Sequence, residues 1–139
     1  MGASQSIQKI NFEDIQTVIK NHEAYLLINT LPSFEQDCLI LNTIPCEKEE
    51  DVINRYISTA AYVKIVVYGR NCNDEKIYQK YKQLLSLGFY NVFIYVGGLF
   101  EWLLLQDIYG YEMFQTTTLA KDMLKFKPSQ KLHIGLIEY

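Results

Sequence analysis

The chain is poor in the side chains from which metal centres and disulfide frameworks are built: two histidines and three cysteines in 139 residues. Cys38, Cys46 and Cys72 are odd in number and match neither a zinc site nor a CxxC pair, which predicts reduced thiols in an intracellular setting. His22 and His133 have no companion at metal-ligand spacing, so no metal and no cofactor is expected. Apolar runs long enough to cross a bilayer are lacking, and so are the basic and apolar regions of a secretory signal, so export by that route is not expected. There is also no surplus of basic residues. Thirteen Lys and Arg are scattered among sixteen Asp and Glu for a net charge of −3, which argues against a nucleic-acid partner.

What is present is apolar material. At 49% hydrophobic residues the chain can bury the core of one ordinary domain. Asn11 and Asp14 form a capping-box pattern for a helix over Phe12 to Lys20, with Phe12, Ile15, Val18 and Ile19 on one face. "AYLLINT", Ala24 to Thr30, reads as a buried strand, and "CLILNTIP", Cys38 to Pro45, as another. Val52, Ile53, Tyr56 and Ile57 have helical spacing, with acids early where the helix dipole favours them. A strand over Lys64 to Tyr68 is followed by a helix from Asp74 to Leu87 that Gly88 stops, then by the strand "NVFIYVGG" and the helix "LFEWLLLQDIYG". Strands alternating with helices over short connections predict an α/β domain with a mostly parallel central sheet flanked by helices. Beyond residue 111 the pattern loosens into a C-terminal extension, 112–139, with a Lys-rich segment, Lys121 to Lys131, and an alternating "KLHIGLIEY". That last segment reads as a strand able to add to a sheet edge or to pair two copies into a homodimer.

The opening "MGASQS" sets residues 1–6 apart from the domain at 7–111. After loss of Met1, Gly2 with Ser6 fits the M-G-x-x-x-[ST] pattern for N-myristoylation. A myristoyl chain on Gly2 implies a eukaryotic cell, or a virus growing in one, and a cytoplasmic protein held peripherally on a membrane. The high use of Ile, Tyr and Asn hints at an A+T-rich genome such as that of a large DNA virus.

The most informative stretch is "KIVVYGRNCNDEKIY". An apolar strand breaks at Gly69 into the polar loop Gly69, Arg70, Asn71, Cys72, Asn73, Asp74 and restarts as a helix. Strand, tight loop and helix in that order are how many folds build an anion or nucleophile site. Together with "YLLINTLPSFEQDCLILNTIP" before it and "LGFYNVFIYVGGLFEW" after it, this loop resembles the rhodanese-like family over about Ile7 to Gly110. The last piece matches the family's Gly-Phe, apolar strand and GGxxxW signature with Gly88, Phe89, Gly97, Gly98 and Trp102. The resemblance implies that Gly97, Gly98 and Trp102 hold a structural corner and do no chemistry.

The same resemblance implies that an active member carries its nucleophilic cysteine at the position of Gly69 and an anion-binding arginine at that of Asp74. Here neither is present, and Glu75 adds a second acid at the loop mouth; Asn29 and Thr30 replace the acid and base that usually end the first strand. Only Arg70 agrees with the active pattern. The expectation is a catalytically degenerate member that binds or scaffolds a protein partner the sequence does not name. The alternative is a sulfurtransferase-like or thiol redox enzyme using Cys72, three residues past the expected position. A cysteine phosphatase is disfavoured, because the arginine it needs six residues after its nucleophile is Tyr78 here.

Overall fold

A computed structural model describes residues 6–132; Gly2 and the greater part of the strand expected at the C-terminus lie outside the described residues. The elements run β1 Gln8–Ile10, α1 Phe12–Lys20, β2 Tyr25–Asn29, β3 Thr43–Ile44, α2 Cys46–Ile57, β4 Lys64–Tyr68, α3 Lys76–Ser86, β5 Asn91–Tyr95 and α4 Gly98–Tyr109. The strands form a five-stranded sheet in the order β1-β5-β4-β2-β3, and every pairing is parallel. The expected α/β architecture with a parallel central sheet flanked by helices is present.

The sheet is covered on both faces, which is why its strands are continuous apolar runs. Successive residues alternate between two cores. Leu27, Val66, Tyr68 and Tyr95 pack with Ile15 and Val18 of α1 and with Leu99, Trp102 and Leu103 of α4. Leu26, Ile28, Ile65, Val67, Val92 and Ile94 pack with Ile53 of α2 and Ile77, Tyr81 and Leu84 of α3. The caps are those that the side chains dictate. Asn11 Oδ1 accepts the Asp14 N–H at 3.1 Å, and Asp14 Oδ2 accepts the Asn11 N–H at 3.1 Å. α3 ends in a Schellman pair, with the Phe89 N–H on Leu84 O at 3.2 Å and the Gly88 N–H on Leu85 O at 3.0 Å.

Three features differ from the sequence reading. β1 has three residues, of which Gln8 and Lys9 are exposed, so it carries no apolar period that would reveal it. Within Cys38 to Pro45 only Thr43–Ile44 joins the sheet. Leu39 and Ile40 are buried in a non-ladder segment, where the Ile40 N–H donates to Tyr68 Oη at 3.1 Å and Asn42 turns the chain at φ 70°. The third is that the chain beyond residue 111 folds back into the first core: Phe114 and Phe126 are buried, and Thr116 bridges Ile40 in antiparallel sense.

Candidate functional site

Ligands of open α/β sheets sit at the carboxyl ends of the strands, and the 69–74 loop lies there, between the ends of β2 and β5. Its base is Tyr68, fully buried, whose hydroxyl meets Thr43 Oγ1 at 2.8 Å and accepts the Ile40 N–H. Burial raises the Tyr68 phenol well above its ordinary pKa, so it stays neutral.

The loop is closed from within by Asp74. Its Oδ2 accepts the Arg70 N–H at 3.0 Å and the Thr30 hydroxyl at 2.9 Å, and its Oδ1 accepts the Lys76 N–H at 2.9 Å. A Cβ placed on Gly69 would lie 2.4 Å from Asp74 Oδ2 and 2.9 Å from Asp74 Cβ. The carboxylate therefore fills the space that a side chain at position 69 would enter. The sequence puts two repelling acids at the mouth; in the structure only Glu75 is exposed, while the Asp74 carboxylate is turned onto three donors.

Arg70 is engaged as well. Its guanidinium pairs with Glu35, donates to Lys125 O and lies 5.1 Å from the centroid of the Phe126 ring. Asn71 caps its own turn, its Oδ1 accepting the Asn73 N–H at 2.9 Å, and its Nδ2 donates to Phe126 O at 2.9 Å. The segment Met123–Phe126, a 3-10 turn, thus straps the loop from 55 residues away. Nothing in the sequence announces this contact, nor the Arg70–Glu35 pair.

Cys72 is exposed, with its thiol 3.8 Å from Asn73 Oδ1. It does not line the cleft of about 290 Å³ over the loop, which is bordered by Thr30, Asn73, Asp74, Lys76 and Lys131 among others. Asn29 is buried and exchanges hydrogen bonds with Gln36: Asn29 Nδ2 to Gln36 Oε1 at 3.1 Å and Gln36 Nε2 to Asn29 Oδ1 at 2.9 Å. This neutral amide pair stands where the resemblance implies a charge. His22 is exposed, and no group of three or more His, Cys, Asp or Glu positioned to hold a metal occurs among the described residues.

The Gly97-Gly98 turn joins β5 to α4 and packs against the back of the loop. Gly98 has φ +70°, and a Cβ there would meet Gly69 O at 2.8 Å and Asn71 backbone atoms at 3.0 Å, so the close approach requires glycine. The first N–H groups of α4 are satisfied by the loop, Leu99 N–H on Gly69 O at 2.9 Å and Phe100 N–H on Arg70 O at 3.0 Å. Trp102 is fully buried one turn on, its Nε1–H donating to Gln115 O at 3.0 Å and its ring edge-on to Tyr95 and Phe114.

This arrangement is a rhodanese-like fold, as structural comparison shows. The solution structure of the rhodanese-like domain from the Anabaena sp. Alr3790 protein superposes with a TM-score of 0.54 at 22% identity, over 97% of this chain and 94% of that one. A crystal structure of the Alr3790 protein gives 0.54 at 25% identity, covering 73% of this chain and 88% of that one. The Saccharomyces cerevisiae single-domain sulfurtransferase RDL2 gives 0.53 at 15% identity, covering 73% of this chain and 93% of that one. No protein-family model and no curated protein matches the chain.

Proposed function

We propose that this chain is a rhodanese-like binding or scaffolding module without sulfurtransferase chemistry, tethered peripherally to a membrane through a myristoylated Gly2. The observation that carries the first part is the place of the Asp74 carboxylate, which takes the Arg70 N–H and the space before Gly69. A persulfide carrier needs a thiolate facing the loop N–H groups. Here the negative charge at that focus belongs to the protein itself. An incoming sulfur-donor anion brought within 4 Å of it meets a repulsion of about 4 kcal/mol per unit charge at an effective dielectric of about 20. Arg70 offers no compensation, because Glu35 and Lys125 O already hold its guanidinium.

The surface beside the loop supports binding in place of chemistry. Phe34 and Leu119, 81% and 69% exposed, line a cleft of about 350 Å³, apolar surface of the kind that protein partners cover. The test is thiocyanate formation from thiosulfate and cyanide by the wild type, Cys72→Ser and Gly69→Cys. All three are expected at the uncatalysed rate. Turnover by the wild type that disappears in Cys72→Ser would overturn the reading and make Cys72 the nucleophile.

A further inference from the structure

Helices α2 and α3 lie on one face of the sheet, over the second core, and each presents a stripe of side chains to the gap between them. On α2 the stripe is Cys46, Glu49, Glu50 and Ile53, and on α3 it is Lys76, Lys80, Gln83 and Leu87, both at the spacings of a single helix face. The gap is a continuous groove. A cleft bordered by Thr30, Leu31 and Lys76 shares Cys46, Glu49, Lys80 and Gln83 with a second cleft further along, which Ile53, Leu84 and Leu87 border. At its near end the groove shares Thr30 and Lys76 with the cleft over the 69–74 loop. Its floor is apolar, for Leu31, Ile53 and Leu84 are all buried, and its lining charges cancel, Lys76 and Lys80 against Glu49 and Glu50.

The C-terminal chain is laid across the loop toward this groove. Lys125 O is held by Arg70 and Phe126 O by Asn71, and Ser129 and Lys131 then border the cleft over the loop, the one that Thr30 and Lys76 join to the groove. Leu132, the last described residue, is 79% exposed. Residues 132–137, LHIGLI, are apolar but for His133, which suits an apolar groove without net charge. Their reach is sufficient. From Lys76 to Leu87 the groove follows α3 for about 17 Å at the helical rise, and six extended residues cover about 20 Å.

We propose that residues 132–137 dock in the α2–α3 groove of their own chain. Three residues beyond Lys131, at about 3.3 Å each, bring Ile134 about 10 Å along, level with Gln83, which lies the same distance from Lys76 at the helical rise. Docking covers the buried floor at Ile53 and Leu84 and closes the groove to outside peptides. A partner that uses the groove must displace the tail, which is then a competitor built into the domain. The docking depends neither on acylation of Gly2 nor on the chemistry of the loop.

The test is disulfide trapping in the full chain with Cys46 and Cys72 replaced by serine. Oxidised glutathione takes the two electrons, so that each disulfide formed removes two hydrogens from the protein and releases two reduced glutathiones. Gln83→Cys with Ile134→Cys is expected to close within one chain at about five times the yield of Lys9→Cys with Ile134→Cys, because docking raises the effective concentration of the first pair alone. Lys9 lies on β1, at the opposite edge of the sheet from β3. Equal yields for the two pairs would overturn the docking, and so would a disulfide between two chains, which would give the groove to a second copy's tail. In the otherwise unaltered chain, Ile134→Glu/Leu136→Glu is expected to raise the rate of Cys46 alkylation about tenfold by undocking the tail, while the exposed Cys72 reacts at a constant rate. An unchanged Cys46 rate would overturn the proposal.

Discussion

Trp102→Ala tests whether the corner behind the loop carries the fold. The indole is fully buried, makes edge-on contacts with Phe114 at 5.0 Å and Tyr95 at 6.4 Å between ring centroids, and donates to Gln115 O. Truncating such a ring costs about 3–5 kcal/mol through lost transfer energy and the cavity left behind, and the unpaired carbonyl adds about 1 kcal/mol. Against a domain stability of about 5–15 kcal/mol, the variant is left marginal. With a urea m-value of about 2 kcal/mol/M, the midpoint should fall by about 2–3 M. Because Trp102 is the sole tryptophan, unfolding is followed by far-UV circular dichroism. Trp102→Phe keeps most of the ring and loses only the donor and one ring's volume, so it should fall about half as far. A midpoint shift under about 0.5 M for the alanine variant would refute the packing argument, and equal losses for both variants would move the energy from the ring to the hydrogen bond.

Gly98→Ala combines a left-handed backbone with a Cβ 2.8 Å from Gly69 O, whereas Gly110→Ala, at φ +106°, has nothing within 4 Å. The first should cost about 2–4 kcal/mol and the second about 1–2 kcal/mol, and equal urea midpoints would refute the close-approach argument. Stability should also fall at high pH. Burial raises the phenol of Tyr68, and burial with the hydrogen bond and charge of Glu101 raises that of Tyr95. Groups raised in the folded state contribute fully below their unfolded value of about 10 and lose that contribution as pH climbs beyond it. Urea midpoints should therefore be flat from about pH 8 to 9.5 and drop above about pH 10, and a flat profile to about pH 11 would show that both phenols ionise as freely in the folded state as in the unfolded one.

Much of the scaffold was readable because its signals are local. The capping box at Asn11 and Asp14 is a four-residue pattern, and α1 follows it with the bounds the spacing predicts, Phe12–Lys20. β4 is likewise an unbroken apolar run bounded by Lys64 and Gly69, and it forms over Lys64–Tyr68. The site was readable only as a set of substitutions. That Asp74 differs from an anion-binding arginine is visible in the letters. That its carboxylate turns inward onto Arg70, Thr30 and Lys76 depends on Thr30, 44 residues earlier, being brought beside it by the β2–β4 pairing. The strap from Lys125 and Phe126 is equally hidden, since its bonds to Arg70 and Asn71 use backbone carbonyls, which every residue has.

The loop's hydrogen bonds show how this segment is held within the rhodanese-like fold. Its outward carbonyls, Gly69 O and Arg70 O, cap the first N–H groups of α4, and its inward N–H at Arg70 is capped by Asp74. The Gly69 and Arg70 carbonyls and the Arg70 N–H are thus satisfied inside the protein. In an active site the inward N–H groups must be left for the reacting sulfur, which couples order to catalysis. Here the Arg70 N–H is taken by Asp74. Installing a thiol at position 69 alone would therefore place it against a carboxylate that is already held by three donors. Only removal of Asp74 together with Gly69→Cys would return those donors to an incoming ligand.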